Sequence, residues 1–198
     1  MNAPSIGRQI VDGLIITGIF LNTLWVWKIH DTVAEKVNAS VVVAESSCGE
    51  RETFFKLLIL KPDLDRAFAH ELSTIIDEAA RDFDRDPDFV VALMYVESRF
   101  KPDAVSSAGA HGLMQVMPLW LKVLGAEGDD LFDPRTNVRR GLQIYGSYES
   151  MLKSKEFALT AYNRGSWKVE EDLRQDKDPR NGYAKDVLDV YERLKQLL

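Results

Sequence analysis

From Pro62 onward, apolar residues return every three or four positions, and this spacing constrains the fold more than any other feature. Leu64, Phe68, Leu72, Ile75, Ile76, Ala79 and Phe83 fall on one face of a helix. Tyr183, Val187, Val190, Tyr191, Leu194 and Leu198 form a second stripe near the end of the chain. No run of period-two alternation competes with them, so the spacing predicts a mainly α domain. Asp86-Pro87 reads as an N-cap followed by proline at N1, the start of a new helix. Asn137 is expected to cap another, with Val138, Leu142 and Tyr145 on its inner face. Glu156 to Tyr162 reads as a short helix, with Gly165 at its C-terminal cap. About 135 residues of such sequence can bury a sizeable core.

The N-terminal part is different. Gly13 to Trp27, GLIITGIFLNTLWVW, carries no charge. As a helix it would be roughly 22 Å long at about 1.5 Å per residue, short of a ~30 Å hydrocarbon layer. Extension to Ile10 and Ile29 makes it long enough, with Lys28 snorkelling outward and Trp25 and Trp27 at the interface. A single membrane anchor is the expectation. A cleaved signal peptide has the right apolar length, but no small-x-small site follows closely. A buried core helix is the third reading. The expected organisation is an anchor or signal segment over 1–30, a stalk of open structure over 31–60, and the helical domain over 61–198. Within the stalk, Val41 to Val43 and Phe54 to Leu60 fit short strands or helix pieces.

Charge and composition exclude some classes. The net charge of -6 is the wrong sign for a phosphate-binding surface, so no nucleic-acid partner is expected. Cys48 stands alone, so no intramolecular disulfide forms. It lies far from the apolar segment, after Glu45-Ser46-Ser47, which argues against lipid attachment there. His30, His70 and His111 are scattered, and no metal site is expected.

One acidic residue stands out. In DFVVALMYVESRF, Val90, Leu93, Met94 and Glu97 fall at i, i+3, i+4 and i+7. Glu97 therefore projects from an apolar side, near the helix C-terminus. Burial raises a carboxyl's pKa, and the negative end of the helix dipole adds to that. A carboxyl still protonated near neutral pH suits a general acid. A glutamate closing a buried helix and paired with Arg99 or with a neighbouring helix would show the same spacing. The next segment, Lys101 to Pro118, is rich in Gly, Ser and Ala, as an active-site loop often is. Gly109 and Gly112 permit close backbone approach, and the Gln115 amide suits sugar hydroxyl or acetamido groups. Met114 and Met117 fit a core as readily as a ligand contact.

Four segments carry a family resemblance, in order: Glu97-Ser98-x-Phe100; GAHGLMQVMP, Gly109 to Pro118; LFDPRTNVRRG, Leu131 to Gly141; and AYNRG, Ala161 to Gly165, followed by the Tyr183 segment. With these the chain resembles the soluble-lytic-transglycosylase type of peptidoglycan lyase, related to goose-type lysozyme. The resemblance spans roughly Pro62 to Leu198. It implies a lysozyme-like helical catalytic domain with Glu97 as the single acid and base. It places Ser98, Met114, Gln115, Tyr162 and Asn163 in the substrate cleft, and brings Tyr183 up to the catalytic carboxyl. Asn137 and Gly141 would shape the fold, Gly141 through close helix packing. Lys101 and Leu119-Trp120 depart from the family's usual residues and bear on local subsite contacts.

The implied reaction cleaves the bond between N-acetylmuramic acid and N-acetylglucosamine without water, leaving a 1,6-anhydro end and requiring no cofactor. The expected partner is the peptidoglycan glycan strand. The expected location is the inner membrane, spanned once, with the catalytic domain in the periplasm. Two rivals remain. A hydrolytic lysozyme would need a positioned water held by another carboxylate, for which Asp103, Asp129, Asp130 and Asp133 are the candidates. An inactive wall-binding component of a secretion or phage-entry apparatus is the other.

Overall fold

Short polar caps decide where the helices begin, and one apolar helix decides where the core sits. The computed structural model describes residues 51–197, which fall within a unit spanning Gly49–Leu198. Helix α1 covers residues 51–60. It is followed by α2 (Arg66–Asp82), α3 (Pro87–Ser98), α4 (Leu119–Val123), α5 (Pro134–Leu152), α6 (Lys155–Arg164), α7 (Ser166–Arg174) and α8 (Tyr183–Leu194). Extended backbone among the described residues is confined to two isolated bridges, Val105 with His111 and His111 with Val116. The mainly α expectation agrees with this.

Helix α3 is the core. Phe89, Val90, Val91, Ala92, Leu93 and Met94 are all buried. A helix that is apolar all round has no solvent face to offer, so neighbours must cover every side. α2 and α8 do so directly, while α5 and α6 pack against each other and onto α2 and α8. The expected Asp86-Pro87 start holds: the Asp86 side chain accepts the Asp88 N–H at 2.9 Å. Helix α8 runs antiparallel to α3, and its Tyr191 hydroxyl donates to the other Asp86 oxygen at 2.7 Å. The cap of the central helix is thereby also a tertiary contact.

Two boundaries differ from the sequence reading. Asp65 accepts the Phe68 N–H at 2.9 Å, so α2 starts at Arg66 and Leu64 packs in from the preceding turn. Asn137 does not cap α5. Asp133 does, accepting the Thr136 N–H at 2.8 Å, with Pro134 at N1 in the same arrangement as Asp86-Pro87. Asn137 lies inside the helix, buried, with another task described below.

Part of the expected stalk is helical. Residues 51–60 form α1, and Leu57 is fully buried in the core. Thr53 donates to Asp77 of α2 at 2.7 Å. Lys56 reaches both Asp88 oxygens, at 2.8 and 2.9 Å, and Glu52 at 2.5 Å. Burial works to lower the Lys56 pKa, but the bonds to Asp88 and Glu52 outweigh it and hold the ammonium above its ordinary value. Among the described residues no helix is long and apolar enough to cross a membrane. Gly13 to Trp27 and the rest of the stalk, 31–50, lie outside the described residues.

Removing one partner from a buried ion pair strands the other charge. Lys56→Ala should therefore cost roughly 3–5 kcal/mol in urea unfolding, because Asp88 is left buried and uncompensated. A loss below about 1 kcal/mol would mean that α1 is not part of the cooperative unit.

Candidate active site

Glu97 is the penultimate residue of α3, where the apolar helix reaches the protein edge. The two residues that follow the helix, Arg99 and Phe100, both take left-handed backbone conformations, at φ 53° and 61°, which turn the chain sharply out of it. The carboxyl stays behind, partly buried. It accepts a short hydrogen bond from the Tyr183 hydroxyl at the first residue of α8. Burial pushes the Glu97 pKa from 4.5 up to about 7, outweighing the Tyr183 bond, which favours the ionised form. Burial and the nearby Glu97 charge push Tyr183 well above the ordinary tyrosine range, so it meets the carboxyl as a neutral donor. Of the two partners that a merely structural Glu97 could take, Arg99 instead lays its guanidinium 4.0 Å from the Tyr95 ring centroid, and the neighbouring helix α8 supplies Tyr183.

Tyr162 of α6 completes the setting. Burial, and then the charge of Glu97, raise its pKa far above the usual value, so the ring is close enough to sense the carboxylate. Its hydroxyl donates to the Met114 carbonyl at 2.8 Å, which ties α6 to the 101–118 loop. A single side chain shapes that loop. Buried Asn137 accepts the Met114 N–H at 2.7 Å and donates to the carbonyls of Leu131 and His111 at 2.7 and 2.9 Å. All of its polar atoms go to the backbone of the segments before α5. Gly112 sits against it at φ +75°, where a Cβ would collide with the Asn137 amide.

The remaining residues singled out from sequence are placed as follows. Met114 is fully buried, packed on Gly141, where a Cβ would lie 2.6 Å from the Met114 Cβ. That is the close packing expected of Gly141, and it leaves the methionine side chain no open surface. Ser98 is buried too, its hydroxyl donating to the Met94 carbonyl at 3.3 Å. Gln115 spends its amide N–H groups within the loop, on Gly112 at 2.9 Å and Ala104 at 3.2 Å. Asn163 is exposed, and its oxygen accepts from Asn181 at 2.8 Å. Glu97, Tyr162 and Tyr183 are therefore brought together, with Met114 joined through its carbonyl.

The carboxylates considered as water holders are engaged elsewhere or exposed. Asp129 pairs with Arg140 at 2.6 Å, Asp130 accepts the Phe132 N–H at 2.8 Å, Asp133 caps α5, and Asp103 is exposed. Among the described residues no cluster of His, Cys, Asp and Glu is arranged to hold a metal ion.

Residues 74–183, more than half of the 198-residue chain, match the Transglycosylase SLT domain family. The chain belongs to that family. Glu97, the loop, Tyr162 and Tyr183 all fall within the matched SLT residues. The chain is 32% identical over 145 residues to the membrane-bound lytic murein transglycosylase C of Cronobacter sakazakii, an alignment covering 64% of this chain and 40% of that protein. The corresponding protein of Pectobacterium atrosepticum is 32% identical over 149 residues, covering 64% and 41%. The chain thus spans about two fifths of the length of the curated relatives it matches.

Among solved structures, an inactive glutamate-to-glutamine mutant of the lytic transglycosylase Slt from Pseudomonas aeruginosa superposes with a TM-score of 0.54 at 25% identity, over 61% of this chain and 23% of that one. The 70 kDa soluble lytic transglycosylase from Escherichia coli superposes at 0.51 and 21% identity, over 76% and 30%, a likeness of fold alone. The fold is the mainly helical, lysozyme-like one expected from the sequence.

Asn181 had no place in the sequence reading of the site, because it lies in a polar stretch with no periodicity to mark it. Asn137, expected both to cap α5 and to shape the fold, does the second, since Asp133 four residues earlier supplies the cap.

The raised pKa makes stability depend on pH in a defined direction. The folded state holds the Glu97 proton up to about pH 7, whereas the unfolded chain releases it near 4.5. Between those values folding takes up a proton, so the stability due to this group is full at low pH and is lost as pH rises through 7. Glu97→Gln removes the titration. It should be more stable than wild type by about 2–3 kcal/mol at pH 8.5 and indistinguishable at pH 4, by urea unfolding. An equal difference at both pH values would show that the carboxyl is not desolvated in the fold.

Proposed function

We propose that this protein is a lytic transglycosylase that cleaves peptidoglycan glycan strands with Glu97 as its only acid and base. The observation that carries the reading is the state of that carboxyl. It is desolvated, hydrogen-bonded by a neutral tyrosine, and titrates near neutrality with no second carboxylate among the influences on it. Membership of the SLT family and the murein-transglycosylase names of the relatives support the same reading.

The chemistry asks two things of one group. Protonated Glu97 donates to the oxygen linking N-acetylmuramic acid to N-acetylglucosamine, and the C1–oxygen bond breaks. The muramic acetamido oxygen stabilises the electron-poor C1, a role that a second enzyme carboxylate fills in other glycosidases. The Glu97 carboxylate then takes the proton of the C6 hydroxyl while that oxygen bonds to C1. The 1,6-anhydro ring closes, Glu97 is protonated again, and no water is consumed. A pKa of about 7 serves both halves, because donor and acceptor forms are then equally accessible at neutral pH. Tyr183 holds the carboxyl by its hydrogen bond, and Tyr162 stands near enough to sense its charge.

The N-terminal reading belongs to the same proposal. Gly13 to Trp27 anchors the chain in the inner membrane, with the SLT domain on the periplasmic side, in keeping with the membrane-bound designation of the relatives.

Mass spectrometry of a digest of purified peptidoglycan tests the reaction. The expected products are lighter by one water than their hydrolytic counterparts, and reducing muramic ends would move the enzyme to the hydrolases. General acid–base catalysis is worth typically ~10²–10⁴-fold, so Glu97→Gln should lose at least that much turnover while remaining folded. Undiminished activity in that variant would remove Glu97 from the mechanism. Fractionation of cells tests the anchor: the chain should sediment with membranes and resist extraction by high salt. A soluble form beginning after residue 30 would indicate a cleaved signal segment instead.

A further inference from the structure

Helix α8 has to start at a defined point, because its first residue is the one that bonds Glu97. Its N-cap, Gly182, sits at φ +89° and has no side chain to offer the exposed N–H groups of the first turn. Asn181, one residue earlier, fills the gap. Its oxygen accepts the Tyr183 N–H at 3.3 Å, and its amide donates to the Asn163 oxygen of α6 at 2.8 Å. One exposed side chain therefore joins α6, immediately after Tyr162, to the backbone of the tyrosine that reaches the carboxyl. The 175–182 segment leading there is fastened at two further points. The Arg164 guanidinium bonds Asp172 at 2.8 Å and the carbonyl of buried Pro179. Arg180 bonds Asp178 at 2.8 Å and Glu156 of α6 at 3.2 Å.

We propose that Asn181 is a positioning residue for catalysis: by bridging Asn163 and the Tyr183 N–H it sets where α8 begins, and so places the Tyr183 hydroxyl on Glu97. The inference rests on the reading of Glu97 as the acid. It assigns Asn163 a task within the protein as well as at the cleft, since its oxygen is the anchor for Asn181. A residue that only bound glycan would have no reason to hand its oxygen to the neighbouring segment.

The consequence is specific to the carboxyl. Tyr183 on α8 is the group whose hydrogen bond favours ionised Glu97. Among the described residues the other titratable group shown to interact with the carboxyl is Tyr162 on α6, itself affected by Tyr148 on α5, and both are neutral hydroxyls. If α8 starts in the wrong place, the favourable bond weakens and nothing replaces it, so Glu97 keeps its proton to higher pH.

The test is the pH profile of kcat/KM for the 198-residue chain in detergent on purified glycan strands. Wild type, Asn181→Ala, Asn181→Asp, Tyr183→Phe and Glu97→Gln are compared. Asn181→Asp keeps the acceptor for the Tyr183 N–H but turns an oxygen toward Asn163, so it breaks the bridge with minimal change of shape. Both Asn181 variants should lower kcat about fivefold or more with KM within about twofold, and move the basic limb upward by about half a pH unit, toward the Tyr183→Phe profile. A raised KM with an unmoved basic limb would overturn the proposal and make Asn181 a substrate contact, while an inactive Glu97→Gln in the same assay keeps the acid assignment intact. Full activity in Glu97→Gln would overturn both.

Discussion

Everything at the candidate site depends on one contact surface, that of α8 laid antiparallel on the apolar helix α3. Tyrosines at the two ends of α8 bond acids at the two ends of α3: Tyr191 to Asp86, which caps the helix, and Tyr183 to Glu97, which closes it. Between them Val187 fills the interface, fully buried. The arrangement buries a carboxyl at the negative end of a helix without an opposing cation. In a structural position that would be a defect to be removed. Under the proposed function it is what keeps a proton available near neutral pH, and the stability forgone above pH 7 is the cost of that chemistry.

The opposite wall follows from a second economy. The 101–118 loop has no ladder to hold it, only two isolated bridges and a few turns. Asn137 compensates by taking three backbone groups from separate points of the preceding chain, all at 2.9 Å or less. The loop shape is thus fixed from within α5, and Tyr162 carries that shape to α6 through the Met114 carbonyl. The loop is joined to α6 through Tyr162, which senses the Glu97 charge, while α8 bonds the carboxyl itself.

Much of the fold was legible because long helices announce themselves. The stripes of α2 and α8 and the Asp86-Pro87 start are local facts about spacing and capping. The stretch 51–60 was only half legible, left open between short strands and helix pieces over Phe54 to Leu60, for the opposite reason. Its Thr53 and Lys56 look like solvent residues, and only the acids they meet on α2 and α3 explain their burial. Glu97 was marked by its place on an apolar face, but its surroundings were not: that Arg99 turns away to Tyr95 and that the partner is a tyrosine rather than a cation needed the structure. The loop residues were the hardest. Spacing shows that Met114 and Gln115 lie near the site. It does not show that Met114 turns inward onto Gly141 or that the Gln115 amide closes its own loop. Tyr183 was joined to Glu97 only through the family resemblance, since a contact across 86 residues leaves no local trace.

The central claim concerns the protonation of one carboxyl, and a titration of that carboxyl tests it without any substrate. With ¹³C at the glutamate side-chain carboxyls, the Glu97 signal is the one missing from the spectrum of Glu97→Gln. A midpoint near 7 is the result the structure requires. A midpoint near 4.5, the value of an ordinary glutamate, would contradict it.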